Sequence, residues 1–341
     1  MKILMTSVFF HPHIGGIETV TENLATKFAE RGDVQVKVVT NTAEPSTKDF
    51  PFEVYRRPDR KTLWQLYEWC DIYVHQGISL NWAWPLLLKR KPWFIVYHQV
   101  YYQHGWKGKL KRLCSHLSTH NIAVSETTAR GYELNNYTVI LNSFDDALFA
   151  NENRKERRDI VFLGKVTYAK GVDVLLRAFD QFKEQTGSDY QLNLIGDSGE
   201  NDSNYEAMKH LATTLKHRDA VHFLGPKSHD ELSPLLNGNK IQVVPSTYME
   251  AFGVVCLEGM ACGCVVVGSD GDGIAEAIGE GGFTFRKGDA DALCQRLTEA
   301  AALTQPQVEA IQRKAAAQLQ RLSLANVAQR YIDTFKQYTK H

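Results

Sequence analysis

Two glutamates eight positions apart, Glu250 and Glu258, mark the segment of this chain that is best equipped for chemistry. A short apolar run, 241–245, precedes them and predicts a buried strand, and apolar residues at helical spacing start near Gly253. We therefore predict strand, loop and helix, with Glu250 in the loop and Glu258 one to two turns into the helix. In open α/β sheets, ligands bind at the edge where the strands end.

The surroundings of the two carboxylates limit what they would bind. A loop and a first helical turn present backbone N–H groups without partners in the helix, and such groups bind phosphate or sugar oxygens. Carboxylates do not favour bare phosphate, but they accept hydrogen bonds from hydroxyls. A diphosphate that lies between two polyols meets both demands, so these residues favour a nucleotide sugar.

Two other motifs are considered as metal sites and rejected. Asp270 and Asp272 have acid-x-acid spacing, but the remaining ligands of a calcium loop do not follow. Cys262 and Cys264 form a C-x-C without the second pair that a zinc cage needs. We predict no metal and no other cofactor.

The composition is that of an ordinary soluble protein with room for two domains. Of the 341 residues, 43% are hydrophobic and 23% are charged, and 39 Lys and Arg balance 39 Asp and Glu. This balance gives no reason to expect a nucleic-acid partner. The six cysteines are scattered in apolar stretches, which is typical of buried thiols in a reducing compartment. Because neither a signal-peptide pattern nor an apolar run of about 18 residues is present, we expect a cytoplasmic protein.

Strands and helices are predicted to alternate through both halves of the chain. This alternation is typical of an α/β fold with parallel sheets and right-handed crossovers. A charged stretch poor in apolar residues, 151–158, separates the halves. We predict two Rossmann-like domains that face each other across a cleft, the first over 1–150 and the second over 159–322. The last helical pattern, about 323–341, would pack back on the first domain.

Seven motifs follow one another in a characteristic order. They are HPHIGGIE at 11–18, His98 in FIVYHQVYY, Ser125 in NIAVSETT, NSFDDALF at 142–149, GKVTYAKG at 164–171, the pair Glu250 and Glu258, and GDGIAE at 271–276. In this order and at predicted strand ends, they resemble family 4 of the retaining glycosyltransferases, which have the GT-B fold. The resemblance covers nearly the whole chain. It implies metal-free transfer of a sugar from a nucleotide diphosphate sugar to an acceptor hydroxyl.

The resemblance also implies a role for each matching residue. Lys165 and Lys170 would contact the donor diphosphate, and Glu258 would bind the ribose hydroxyls. The backbone near Pro226 would meet the base. Gly16 would let the loop of the first domain approach the diphosphate, as glycine does where backbone must come close to a ligand.

The residues nearest the chemistry would be His98, Lys170 and Glu250. His98 would lie beside the sugar and the acceptor, and Glu250 would hold hydroxyls of the transferred sugar. Fixed cations lower the barrier by stabilising the charge that develops on the leaving diphosphate. Front-face attack, in which the diphosphate itself accepts the acceptor's proton, needs no protein nucleophile, and Glu250 is not expected to be one. Backbone contacts are implied for Ala251, Phe252 and Gly253 with the sugar, and for Val254 and Val255 with the phosphates.

The segment from Trp106 to Leu117 admits two interpretations. It is rich in Lys and Arg and has apolar residues at helical spacing. Such a helix either packs its apolar side on the domain and leaves its charged side in water, or lies on an anionic membrane surface. In the second case the protein would be peripheral at the inner face of the membrane, with a lipid-linked acceptor.

The sequence leaves the substrates open. We expect a UDP-sugar as donor, with GDP-mannose as the alternative, and a saccharide or lipid-linked acceptor in cell-surface polysaccharide, glycolipid or glycoconjugate synthesis. A non-catalytic nucleotide-sugar-binding partner subunit is the alternative from another functional class.

Overall fold

The computed structural model describes residues 1–13, 15–46, 48–78, 80–100, 105–154, 156–197 and 203–339, without the side chains of Leu80, Lys107 and His229. It divides into two compact units. The first consists of residues 1–143 and the C-terminal segment from Leu324, and the second is Phe144–Ser323. The stretch 151–158, predicted as a linker, is counted with the second unit, and its last residue begins a strand.

The first unit is a parallel sheet with helices on its faces. Its strands are β1 (Lys2–Ser7), β2 (Gln35–Thr40), β3 (Glu53–Arg56), β4 (Ile72–Gln76), β5 (Trp93–Tyr97), β6 (His120–Ala123) and β7 (Tyr137–Val139). The helices between its strands are α1 (Gly16–Ala29), α2 (Arg60–Trp69), α3 (Pro85–Leu88), α4 (Trp106–Leu117) and α5 (Glu126–Gly131). In the described residues the strand order is β3-β2-β1-β4-β5-β6-β7.

The second unit repeats this architecture. Its strands are β8 (Arg158–Leu163), β9 (Leu192–Ile195), β10 (Val221–Gly225), β11 (Asn239–Val244), β12 (Val265–Ser269) and β13 (Gly282–Phe285). Its helices are α6 (Val172–Thr186), α7 (Ser203–Thr213), α8 (His229–Gly238), α9 (Val254–Ala261), α10 (Gly273–Ile278), α11 (Ala290–Ala302) and α12 (Gln305–Arg321). The strands lie parallel in the order β10-β9-β8-β11-β12-β13.

The chain ends in helix α13 (Leu324–Thr339), which belongs to the first unit. Its Phe335 ring lies 6.3 Å from the ring of Phe28 on α1 and 4.7 Å from that of Phe94 on β5. Burial of these aromatic rings fixes the last helix on the first sheet.

The core lies in the central strands, which explains why they were predictable. In register, Ile241 of β11 faces Ile160 of β8 and Val265 of β12, and all three are fully buried. Strands covered on both faces need continuous apolar runs, and these runs are visible in the sequence. Strands β3 and β13 were not predicted, because each is a short edge strand with mostly half-buried residues.

The structure also bears on the cysteines and on membrane-spanning helices. All six cysteines are buried and free, as predicted. In the part of the chain that the structure describes, no helix combines the length and the apolar character that a membrane crossing needs.

Candidate active site

Two loops are hydrogen-bonded to each other at the carboxyl edge of the second sheet, where its parallel strands end. The first joins β8 to α6, and the second joins β11 to α9. The Thr247 amide donates to the Ala169 carbonyl at 3.0 Å, and the Thr247 hydroxyl donates to the Tyr168 carbonyl at 2.8 Å. These bonds hold 164–171 against the segment that carries Glu250.

Gly171, which ends the first loop, must be glycine. Its φ of 69° lies in the left-handed region, and a Cβ there would come within 1.9 Å of the Pro245 carbonyl oxygen. This close contact between the Gly171 and Pro245 backbones fixes the position from which the Lys170 side chain extends.

Lys170 and Glu250 form the centre of a hydrogen-bonded cluster. The Lys170 ammonium donates to Glu250 Oε1 at 2.5 Å and to the Tyr248 hydroxyl at 2.9 Å. The Tyr248 hydroxyl donates to Glu250 Oε2 at 2.9 Å, and the Ser246 hydroxyl donates to Oε1 at 2.8 Å. The Glu250 carboxylate is therefore held by three donors, and each of its oxygens has a fixed direction.

The charge of Lys170 is stable in this cluster. Burial alone would lower the pKa of Lys170, but the Glu250 carboxylate and the Tyr248 oxygen outweigh it, so the pKa lies above its ordinary value. The ammonium remains charged at neutral pH and has three N–H bonds, of which two are used. It can therefore donate to one further anionic oxygen.

Asp272 and Lys287 hold the backbone of the loop that carries Glu250. Asp272 is 3% exposed and accepts hydrogen bonds from the Glu250 amide at 2.9 Å and from the Ile274 amide at 3.0 Å. The Lys287 ammonium forms an ion pair with the same carboxylate and donates to the Tyr248 carbonyl at 3.1 Å. A buried carboxylate with these partners fixes the backbone of the loop.

Glu258 differs from Glu250, because no described residue pairs with its carboxylate. It lies five residues into α9 and is half-buried, and no hydrogen bond or ion pair from the described residues reaches its carboxylate. Burial, with the nearby Asp145 carboxylate, raises the pKa of Glu258 to about 7. This carboxylate can accept hydrogen bonds from a ligand's hydroxyls, which would favour its ionised form.

The start of α9 offers backbone groups beside these side chains. Gly253 is the N-cap and provides no side-chain bond, and first-turn amides, here those of Val254 and Val255, have no acceptor within a helix. Phe252 is only 7% exposed, so its ring belongs to the core and only its backbone can serve a ligand. A Cβ on Gly273 would lie 2.3 Å from the Ala251 carbonyl oxygen, so α10 begins directly against this loop.

Lys165 and Pro226 lie on the same edge of the second sheet. Lys165 follows β8 and is exposed, and no hydrogen bond or ion pair among the described residues engages its ammonium. Pro226 follows β10, which is three strand positions from β11 in the sheet. With strands about 4.8 Å apart, the predicted contacts extend over about 14 Å from Pro226 to the Glu250 loop.

The first unit holds the two remaining predicted residues at the carboxyl edge of its own sheet. Gly16 is the first residue of α1, not part of a loop as predicted, and a Cβ there would meet no atom within 4 Å. His98 follows β5, and its Nε2 lies 2.6 Å from Gln76 Oε1 at the end of β4. Burial lowers the pKa of His98 to about 4, so the ring is neutral at pH 7.

The His98 motif is only partly described, because residues 101–104 and the Lys107 side chain lie outside the described residues. Ser125, the serine of the third motif, caps α5 and accepts a hydrogen bond from the Thr128 amide at 2.9 Å.

Sequence reasoning missed four residues of the second-unit cluster: Ser246, Tyr248, Asp272 and Lys287. A signal existed for Asp272, since an aspartate just before a helical pattern is a preferred N-cap. The ion pair of Lys170 and Glu250 was not anticipated either. In the described residues, no group of three or more His, Cys, Asp or Glu side chains is placed to hold a metal ion.

Two family models match the chain. The model described as glycosyl transferases group 1 matches residues 143–318, which is just over half of the chain. The model described as glycosyltransferase family 4 matches residues 14–147.

Two relatives illustrate the sequence similarity. An uncharacterised glycosyltransferase of Methanocaldococcus jannaschii is 26% identical over 328 residues, which cover 88% of each chain. A D-inositol 3-phosphate glycosyltransferase of Stackebrandtia nassauensis is 34% identical over 149 residues, 41% of this chain and 33% of the relative.

Solved structures share the fold at low identity. HepE of Anabaena in complex with UDP has a TM-score of 0.83 and 20% identity, over 99% of this chain and 100% of that one. The same protein in complex with UDP-glucose has a TM-score of 0.79 at 20% identity, with the same coverage of 99% and 100%. These likenesses establish the GT-B glycosyltransferase architecture.

Proposed function

Since the chain belongs to the glycosyl transferases group 1 family, we propose that it transfers a sugar from a UDP-sugar to an acceptor hydroxyl with retention of anomeric configuration. The observation that carries this proposal is the pair of unlike glutamates at one sheet edge. Glu250 is held by Lys170, Tyr248 and Ser246, whereas Glu258 is open to hydroxyls. The UDP and UDP-glucose complexes of Anabaena HepE support a uridine nucleotide over GDP-mannose.

The donor would extend along the carboxyl edge of the second sheet. We propose that the Glu258 carboxylate accepts hydrogen bonds from both ribose hydroxyls, and that the base meets the backbone near Pro226. Glu250 Oε2 has a lone pair left for a sugar hydroxyl, since Tyr248 is the one described donor to it, whereas Oε1 already accepts from Lys170 and Ser246. The amides of Ala251, Gly253 and the first turn of α9 would complete the contacts.

Lys165 and Lys170 are proposed to stabilise the leaving diphosphate without a metal ion. Charge on the diphosphate grows as the glycosidic bond breaks, so cations fixed beside it bind the transition state more tightly than the ground state. Lys170 is oriented by Glu250 before any donor arrives, and Lys165 keeps its donors available. Full turnover after extensive chelation with EDTA is the expected result.

Retention is proposed to follow from front-face attack. A carboxylate that already accepts from an ammonium and two hydroxyls is a weak nucleophile, so Glu250 would position the sugar rather than attack it. The diphosphate would take the acceptor's proton. Neutral His98, held by Gln76, would keep Nδ1 available as an acceptor for a hydroxyl near the reacting centre.

The experiment that tests this function combines UDP release with product analysis. Wild-type protein is incubated with UDP-glucose and other UDP-sugars, with and without saccharide acceptors, and the anomeric configuration of the product is determined by NMR. Transfer or hydrolysis with retention supports the proposal. Tight UDP-sugar binding without turnover would instead favour the non-catalytic partner subunit. Turnover of GDP-mannose alone would identify GDP-mannose as the donor in place of a UDP-sugar.

We also propose that the acceptor is reached at a membrane surface. The outward side of α4 carries Trp106, Leu113 and Leu117, which are 70%, 51% and 63% exposed, next to exposed Lys109 and Arg112. An ordinary amphipathic helix would bury its leucines. An outward side that combines apolar and basic residues is typical of helices that lie on anionic lipid.

Helix α3, in the same unit, also exposes leucines. Its Leu87 and Leu88 are 86% and 70% exposed. Because β4, β5 and β6 are successive neighbours, right-handed crossovers place α3 and α4 on the same face of the sheet. Co-sedimentation with phosphatidylcholine vesicles, with and without an anionic lipid, tests the proposal. Lys109→Glu should abolish binding to anionic vesicles, whereas Lys209→Glu on α7 should not, and equal binding by both variants contradicts it.

A further inference from the structure

A polar cavity lies where the strands of the second sheet begin, opposite to the candidate active site. Its volume is about 440 Å³. It is bounded by the starts of β8, β11 and α12, whereas the candidate active site lies where the strands end. The strand from Lys240 to Pro245 spans roughly 16 Å, so the two places are separate. The cavity is lined by Asn151, Asn153, Arg154, Arg157, Lys240, Gly263, Leu303, Gln305, Val308, Glu309 and Gln312.

Two cations of this cavity have no carboxylate partner among the described residues. The Lys240 ammonium donates to the carbonyls of Ala301 at 2.8 Å and Leu303 at 3.2 Å, which leaves one N–H unused. Arg157 donates from Nη1 to the Cys262 carbonyl at 2.5 Å, and from Nη2 to the Asn151 side chain at 2.5 Å.

Arg157 also has donors to spare. Its third bond runs from Nη2 to Asn237 Oδ1 at 3.3 Å, so no described residue uses Nε–H and one Nη1–H. Burial lowers the pKa of both Arg157 and Lys240, and at Arg157 the nearby Glu152 carboxylate offsets this effect in part. Half-buried charges are normally paired, so an anion that reaches both cations would complete the contacts that the described residues make.

The rest of the lining adds charge and amides. Arg154 carries a third positive charge, and its guanidinium pairs with Glu152 at 2.7 Å. Among the described residues, three cations and one carboxylate, Glu309, line the cavity. Gln312 uses its Nε2 for the Gly263 carbonyl at 2.8 Å, which leaves Oε1 as an acceptor. Amides of this kind bind hydroxyls, whereas the cations bind phosphate.

We propose that this cavity, formed around Arg157 and Lys240, binds a small phosphorylated sugar. The phosphate would take the spare N–H groups of the two cations, and the hydroxyls would meet the amides of Asn153 and Gln312. The start of α12 borders the same cavity. This site is separate from the nucleotide-sugar site and does not depend on it.

The test is calorimetric titration of the full chain with glucose 6-phosphate, inorganic phosphate and glucose. Glucose 6-phosphate should bind, phosphate should bind more weakly, and glucose should not bind. Affinity should fall with added salt, because the cations are only half-buried. Absence of binding by both phosphate compounds at millimolar concentrations would overturn the proposal.

Variants locate the site. Lys240→Gln should weaken glucose 6-phosphate binding by about tenfold or more, as expected for loss of a charged hydrogen bond. Lys183→Gln is the matched control, because Lys183 also donates to a main-chain carbonyl, that of Tyr190 at 2.9 Å, but lies outside the cavity. Equal weakening in both variants would refute the assignment.

Asn153→Asp provides a second test that removes no described contact within the protein. Asn153 has a φ of 54°, which aspartate also adopts, and the change adds a negative charge to the cavity. Binding of glucose 6-phosphate should weaken while the melting temperature stays constant. Glu258→Ala should leave this binding intact. If Glu258→Ala or Lys170→Met abolishes it instead, the phosphate occupies the nucleotide site and the inference is wrong.

Discussion

The open carboxylate of Glu258 predicts that donor binding depends on pH. Ribose hydroxyls donate to the ionised form, and the pKa of Glu258 in the free protein is about 7. About nine-tenths of the protein would carry the ionised form at pH 8 and about one-tenth at pH 6. Affinity for a nucleotide sugar should therefore fall about tenfold from pH 8 to pH 6, or about 1.4 kcal/mol. The loss occurs as the pH falls, since protonation removes the acceptor.

Calorimetric titration with UDP-glucose at constant ionic strength measures this dependence. The sugar ester is preferable to UDP, whose terminal phosphate itself gains a proton near pH 6. His98 does not interfere, because its pKa of about 4 lies below the measured range. Glu258→Gln is the control, and it should bind weakly at every pH. An affinity that is equal at both pH values in the wild type, or an equal slope in the Gln variant, would refute the reasoning.

Three further predictions follow from the same contacts. Lys170→Met should lower turnover about 100-fold, while the donor dissociation constant rises less than tenfold. The reason is that the charge on the diphosphate is greater in the transition state than in the bound donor. Steady-state kinetics and equilibrium binding measure the two effects separately. Since burial raises the folded pKa of Glu258, its ionisation destabilises the unliganded protein as the pH rises from about 4.5 to about 7. Glu258→Gln should thus add up to about 3 kcal/mol of stability at pH 8 and little at pH 4, as measured by denaturant titration. Gly171→Ala should lower the free energy of unfolding by about 2–4 kcal/mol in denaturant titration, because the alanine Cβ would meet the Pro245 carbonyl. Gly16→Ala should keep its melting temperature, because a Cβ there meets no atom, but it should lose turnover.

The sequence was sufficient for most of the architecture. Central strands such as β11 are buried on both faces and therefore have continuous apolar runs. The edge strands β3 and β13 lacked this signal, because a short strand with half-buried residues has no distinctive composition. Gly16 was predicted in a loop because a Gly-Gly pair usually marks a turn, but here the second glycine begins α1.

The candidate site was predictable in its motifs and not in its internal contacts. Glu258 was identified from its position between apolar residues, where a charge needs a partner. The ion pair between Lys170 and Glu250 joins residues 80 positions apart. Nothing in the local pattern shows that Lys287 would neutralise Asp272. Such contacts depend on how the strands are ordered in the sheet.

The most direct test of the central claim is a thermal-shift panel with EDTA present. Wild-type protein and Glu258→Ala are heated with UDP-glucose, GDP-mannose and ADP-glucose at increasing concentration. A ligand that binds only the folded state raises the melting temperature as its concentration rises. We predict stabilisation of the wild type by UDP-glucose and little or none for Glu258→Ala. No shift with any nucleotide sugar, or an equal shift in both proteins, would contradict the proposed donor site.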